Sequence, residues 1–301
     1  MDLSIRPIPT SKDKIKQPFL AEANVIPKIN TSSLFVGASG SGKTTLVANL
    51  LTRADMLKNV FDRTFLISPT AKTDDIQKFL DLPEDDIIDN LKEAPAFLSE
   101  IMAEQVVEIE AKGAHKAPKY LVIYDDVISN PEFLKTDEFV RSFVMNRHFN
   151  FTTMICSQSY KGIPRKCRLQ ARHIFYFKGS ESENETIMED RAPPNFSKNM
   201  GLELVEAATK DKFSFLHIHM GVDMADRYRR NLRDIIDISA PQISNVRNTR
   251  SNSKSRADKQ RCTKSKRVLQ SSHESDNAAV ATTSNKRGKR EAGSGIVDKF
   301  G

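Results

Sequence analysis

The run Gly37-Ala38-Ser39-Gly40-Ser41-Gly42-Lys43-Thr44-Thr45 packs three glycines, a lysine and four hydroxyls into nine positions. It fits the pattern Gly-x-x-x-x-Gly-Lys-Thr at every fixed place. Glycines let the backbone close around an anion, so that successive N–H groups point inward as a nest for phosphates. The Lys43 ammonium adds a point charge that reaches the β- and γ-phosphates. Thr44 offers a hydroxyl to Mg²⁺, and a helix starting here presents its positive end to the ligand. The expected ligand is ATP with its magnesium ion. A surface loop rich in Gly and Ser has the same composition; a strand before the run and a helix after it separate the two readings.

A second acidic constellation follows at Tyr120-Leu121-Val122-Ile123-Tyr124-Asp125-Asp126. A strand ending in two acids places carboxylates at a sheet edge, where Asp125 suits the Mg²⁺ side. Asp126 then suits the general base that polarises an attacking water. Acid pairs after strands also occur in plain turns, so the pair gains its meaning from the glycine loop. The third element is Thr153-Met154-Ile155-Cys156-Ser157-Gln158-Ser159, a strand with a polar end. The Gln158 amide is placed to orient a water and sense a γ-phosphate, although polar strand ends are ordinary in α/β proteins.

These residues require a particular frame. Ser33–Val36 reads as a strand running into the glycine loop, and Leu46, Val47, Leu50 and Leu51 form the stripe of the helix after it. Thr64–Ile67, Tyr120–Tyr124, Thr152–Cys156, His173–Phe177 and Phe213–His219 read as further strands. The stretch from Asp74 to Gly113 reads as helical, and Asp137–His148 is amphipathic through Phe139, Val140, Phe143 and Val144. Strands alternating with helices predict an α/β domain whose mainly parallel central sheet is flanked by helices. The expected organisation is an extended lead-in over 1–30, an ATPase domain over 31–240 and a disordered basic tail over 241–301.

The charge distribution supports that division. Of 46 basic and 39 acidic residues, 14 and 5 fall in 241–301, a local charge of +9; the remaining 32 and 34 leave −2 for residues 1–240. The isoelectric point near 9.2 therefore describes the tail and not the body. The tail lacks apolar periodicity and cannot bury enough surface to offset its ordering entropy. Its clusters Lys264-Ser-Lys-Arg267 and Lys286-Arg-Gly-Lys-Arg290 suit DNA phosphates or a nuclear-import signal, against a plain solvated terminus. Cys156, Cys167 and Cys262 have no paired or metal-ligand spacing, which fits a reducing compartment. His217 and His219 share a strand face, with packing or surface roles expected. No apolar run approaches a membrane span, so the expected location is cytosol, nucleus or a particle, without secretion.

With the three motifs in order, the chain resembles the viral genome-packaging ATPases of the FtsK/HerA class, the poxvirus-type group found also in virophages and polinton-like viruses. The resemblance covers about residues 15–235. It runs through Phe61–Thr70 with its Ser-Pro-Thr end, an Asp-Asp pair where Asp-Glu is usual, and Asn146-Arg147-His148. It continues through Ser157-Gln158-Ser159-Tyr160 and through Ile163-Pro164 to Arg168. It implies a P-loop NTPase fold of the RecA/FtsK-HerA type and an ATP-driven motor threading double-stranded DNA into a capsid. It further implies capsid or portal-vertex partners at a viral assembly site in host nucleus or cytoplasm, and a homo-oligomeric ring with sites between subunits. In such rings a neighbour's arginine reaches the γ-phosphate; by motif position this is Arg147 or Arg168, with Arg165 and Arg172 close by. A cellular-type translocase or helicase of the same class is the alternative, followed by a non-enzymatic nucleotide-binding assembly protein.

Overall fold

The computed structural model describes residues 15–71, 79–238 and 246–247, and all of them fall in the first of two compact units, which divide after Thr249. The basic tail thus lies outside the described residues, apart from the two-residue strand.

Segments that are apolar on both faces form the centre of the sheet. β1 (Ser32–Val36), β4 (Tyr120–Asp125), β5 (Phe151–Ser157) and β6 (His173–Phe177) are buried at every position. Around them lie β2 (Arg63–Ile67), β3 (Ile87–Ile88), β7 (Phe215–His219), β8 (Tyr228–Arg230), β9 (Asp234–Ile236) and β10 (Val246–Arg247). The order is β10-β9-β8-β7-β6-β1-β5-β4-β2-β3. From β6 to β3 every pairing is parallel, and from β6 out to β10 every pairing is antiparallel. A parallel sheet needs cover on both faces.

Alternate side chains supply it. Leu34, Val36, Val122 and Tyr124 pack with Leu98 and Met102 of the helix α3 (Ala94–Lys112) and with Phe139 and Phe143 of α5 (Asp137–Val144). The same layer takes Ile187 from α7 (Glu181–Arg191) and Leu204 from α8 (Lys198–Thr209). On the other face Phe35, Leu121, Ile123 and Met154 meet Val47 and Leu50 of α2 (Lys43–Thr52), together with Ala21 of α1 (Phe19–Glu22). Truncating a buried leucine such as Leu50 to alanine would cost about 2–5 kcal/mol. Two short helices, α4 (Pro131–Lys135) and α6 (Arg165–Gln170), complete the described set. Side-chain caps start four of the helices: Asn130, Thr136, Ser180 and Ser197 each accept a backbone N–H three residues on.

Parallel strands bring their C-terminal ends to one edge. Val36 lies beside Ser157 and Tyr176, and Asp125 beside Cys156. The segments leaving β1, β4, β5 and β6 therefore emerge together, and open α/β sheets bind ligands at that edge.

Two expectations need correction. The segment from Asp74 to Gly113 is not one helix: a 3₁₀ turn at Glu84–Asp86 and strand β3 precede α3. Pro83, with its fixed φ and missing N–H, interrupts any helix there. The lead-in, read as extended, contains the helical turn Phe19–Glu22.

Candidate active site

The glycine loop leaves β1 with the Gly37 N–H donating to the Ser157 carbonyl at 3.1 Å, which ties it to β5. A Cβ at Gly37 would stand 2.6 Å from Phe177 Cβ and 2.9 Å from Ser41 Oγ, so only glycine fits. Gly42, the residue before α2, has φ 105°, in the left-handed region that suits glycine. At Gly40, with φ 71°, a Cβ would meet nothing within 4 Å. The loop is thus tight where it leans on the sheet and open where a ligand enters. Ser41 Oγ is buried and has no hydrogen-bond partner among the described residues. The Lys43 ammonium donates to the carbonyls of Gly37 at 2.7 Å and Ala38 at 2.9 Å, which holds it across the loop.

Of the expected loop residues, Ser39, Gly40, Gly42, Lys43, Thr44 and Thr45 line one recess of about 420 Å³, and Gly37, Ala38 and Ser41 lie outside its lining. Asp125, Asp126, Cys156, Ser157 and Gln158 line it from the β4 and β5 ends, and Phe213 completes it. That size accommodates a small-molecule ligand. Asp125 is 7% exposed at the end of β4. Asp126 follows with φ 52°, a left-handed conformation that Asp tolerates better than most residues. Its N–H donates to the Cys156 carbonyl at 3.2 Å, fixing the turn against β5. The Gln158 amide donates to both Asp126 carboxylate oxygens, at 3.3 and 3.4 Å. These are long, weak bonds, but they bring together the two residues assigned to water activation.

A residue that sequence reasoning missed holds the next turn. Glu183 Oε1 accepts from Ser159 Oγ at 2.7 Å, and its Oε2 accepts from the N–H of Tyr160 at 2.8 Å and of Lys161 at 3.2 Å. One carboxylate from α7 thus clamps the three residues that follow Gln158. The sequence signal was ambiguous: Ser180-x-x-Glu183 reads as a capping box. Ser180 does cap Glu183 N–H, but the glutamate turns to β5.

The arginines separate. Arg168 is 8% exposed; its Nε lies 3.2 Å from Asp190 Oδ2, its Nη1 donates to the Tyr160 carbonyl at 3.3 Å, and the Tyr160 ring lies beneath it. These partners pack the Arg168 side chain within its own subunit in this conformation. Arg147 is exposed in the 3₁₀ turn before β5, at the sheet edge opposite the glycine loop, and lies outside the recess. Arg165, at the start of α6, is exposed and stands 3.7 Å from Asp190. Arg172 is exposed before β6.

The remaining ionisable cluster lies in the core. His173, His217 and His219 are buried, with His173 Nδ1 and His217 Nε2 3.1 Å apart. Burial and the neighbouring histidines hold His173 and His217 well below the ordinary histidine range. Burial, with Arg172 and Arg229 behind it, lowers His219 to about 4. Of the surface and packing roles expected for His217 and His219, their burial fits packing and excludes a surface position. No group of three or more potential ligands suited to a metal occurs among the described residues.

Comparison with known proteins gives a family match: the model for "Poxvirus A32 protein" covers residues 26–222. No curated protein matches. Among solved structures, B204, the DNA-packaging ATPase from Sulfolobus Turreted Icosahedral Virus, is 13% identical over 67% of this chain and 97% of its own, with a TM-score of 0.49. The genome packaging NTPase B204 from Sulfolobus turreted icosahedral virus 2, in complex with AMP, gives 13%, 67%, 96% and 0.48. EssC (ATPases 2 and 3) from Geobacillus thermodenitrificans gives 14% identity over 66% of this chain and 38% of its own, with a TM-score of 0.42.

Proposed function

The chain belongs to the poxvirus A32 protein family, viral genome-packaging ATPases of the FtsK/HerA class, and on that premise we propose a mechanism in which residues 37–45 grip ATP while Asp126 and Gln158 activate water. The observation that supports it best is the shared recess: the glycine loop faces two carboxylates and an amide across a recess of about 420 Å³, a size in the range of small-ligand sites.

The loop N–H groups and Lys43 bind the triphosphate, and the N-terminal end of α2 adds its partial positive charge. Asp126 accepts the proton of the attacking water, and Gln158 orients both the carboxylate and the water. The donor set suits a magnesium ion, since a largely buried carboxylate, Asp125, and the hydroxyl of Thr44 face the same recess. Bound there, the ion would neutralise charge on the β- and γ-phosphate oxygens.

The polymer moved is double-stranded DNA, and the work is done by a homo-oligomeric ring docked on a capsid or portal vertex. This extension rests on the family. The exposed position of Arg147, away from its own subunit's recess, suits contact with a neighbour's site. The test is ATP-driven displacement of a triplex-forming oligonucleotide from duplex DNA by the full chain. The parent should displace it, and neither Lys43→Ala nor Asp126→Asn should. Hydrolysis by the parent without displacement, at any DNA concentration, would leave an ATPase and remove the translocase.

A further inference from the structure

Nine described residues other than glycine have positive φ, and eight of them are Asn or Asp. The exception is Phe213, at φ 65°. Asn and Asp reach this region with little penalty, whereas a bulky aromatic there is a true outlier. The turn around it is firmly built. The Ser214 N–H donates to the Asp211 carbonyl at 3.0 Å, Ser214 Oγ donates to the same carbonyl at 2.6 Å, and the Asp211 N–H donates back to Ser214 Oγ at 3.1 Å. Arg230 of β8 pairs with the Asp211 carboxylate. Phe213 occupies the third position of this turn, where glycine or Asn normally supplies the positive φ.

The ring does not repay that strain by burial. Phe213 is 57% exposed, while the other aromatics nearby, Phe177 and Phe215, are buried at 2% and 7%. What the turn achieves is placement: a Cβ at Gly42 would lie 3.5 Å from Phe213 Cδ1, and Phe213 lines the same recess as Lys43 and Thr44. Strained residues held by an over-determined turn cluster at ligand sites.

Sheet order gives the direction. The carboxylates and Gln158 stand on β4 and β5, on one side of β1, and they define where the terminal phosphate must lie. A triphosphate gripped by the loop then runs its nucleoside end away from them, toward β6 and β7. On that side the one lining residue among the described residues is Phe213.

Resting on the nucleotide-site reading above, we propose that Phe213 is the stacking platform for the nucleobase. The Lys212 ammonium lies over the Phe213 ring at 4.9 Å from its centroid; the ring's other face is the one a base can meet, and Phe213 has no hydrogen-bonding side chain, so recognition is by stacking, which every base can supply. ATP and GTP should therefore depend on the ring to a similar degree.

The test separates base from phosphate. Equilibrium binding of ATP and of inorganic tripolyphosphate is measured for the full chain, for Phe213→Gly and for Phe213→Trp. Glycine relieves the backbone strain and keeps the turn while removing the ring. It should weaken ATP about tenfold, ~1.4 kcal/mol, and leave tripolyphosphate within about twofold. The chain has no tryptophan, so Phe213→Trp carries a lone reporter. Its emission should be quenched by ATP and not by tripolyphosphate, with ATP affinity near the parent's. Equal weakening of both ligands by Phe213→Gly, or no weakening of either, would overturn the assignment, as would tryptophan emission blind to ATP. A parent that fails to bind tripolyphosphate would bring down the phosphate-loop reading itself, and the stacking platform with it.

Discussion

Glu183 is the most informative residue to perturb, because it lies outside the recess yet fixes the segment that carries Gln158. Three donors converge on its carboxylate: Ser159 Oγ at 2.7 Å and the backbone N–H groups of Tyr160 at 2.8 Å and Lys161 at 3.2 Å. Hydrogen bonds to charged groups contribute about 1.5–3 kcal/mol each, and exposed donors recover part of that from water. Lys161 is exposed whereas Tyr160 is buried, so Glu183→Ala should destabilise the protein by about 2–4 kcal/mol. Glu183→Gln keeps the shape: its amide oxygen can face the two N–H groups while its NH₂ donates to Ser159 Oγ. Only the charge assistance is lost, which should roughly halve the penalty. Urea unfolding gives these differences from the shift in midpoint at constant slope. Steady-state hydrolysis gives the second readout. Freed of the clamp, Gln158 should lose its position against Asp126, so kcat should fall at least tenfold in Glu183→Ala with little change in nucleotide affinity, and less in Glu183→Gln. A Glu183→Ala protein of lowered stability but parental kcat would show that the clamp staples α7 to β5 without serving the site.

Two further outcomes follow from the core and the surface. Unfolded histidines take up protons below about pH 6.5, whereas His173, His217 and His219 stay neutral when folded until the pH falls further, to about 4 for His219. Stability should therefore be insensitive to pH above about 6.5 from this source and fall below it, by up to ~1.4 kcal/mol per pH unit per histidine; His173→Phe should flatten the acid limb of the urea midpoint, and an unchanged limb would clear the cluster. For the intersubunit arginine, Arg147→Ala should abolish turnover while sparing nucleotide affinity, and mixing it with Lys43→Ala should restore some hydrolysis; parental turnover by Arg147→Ala alone would remove Arg147 from that role.

The parts of this fold that were legible in the sequence are those under the strictest local constraint. β1, β4 and β5 read as strands because burial on both faces demands unbroken apolar runs, and the loop 37–45 because a phosphate nest admits few residue types. The antiparallel extension was not legible: Tyr228–Arg230 and Asp234–Ile236 are three residues each and rich in charge, so pairing to β7 decides their conformation. Phe213 read as the start of β7, since nothing local announces a left-handed aromatic. The partnership of Asp126 with Gln158 spans 32 residues, and that of Glu183 with Tyr160 spans 23. Such contacts are set by sheet order.

The central claim is that binding and chemistry are divided between the loop and the Asp126 carboxylate. It is tested most directly by one comparison on the full chain: nucleotide affinity and phosphate release in a single turnover of bound ATP, for the parent, Lys43→Ala and Asp126→Asn. Asp126→Asn preserves the size of the side chain and removes its proton-accepting charge, so it should bind ATP within about threefold of the parent. General-base assistance contributes about 10²–10⁴-fold in rate, and its phosphate release should slow by that factor. Lys43→Ala should lose affinity as well as turnover. Phosphate release by Asp126→Asn at the parental rate, with ATP bound, would contradict the account.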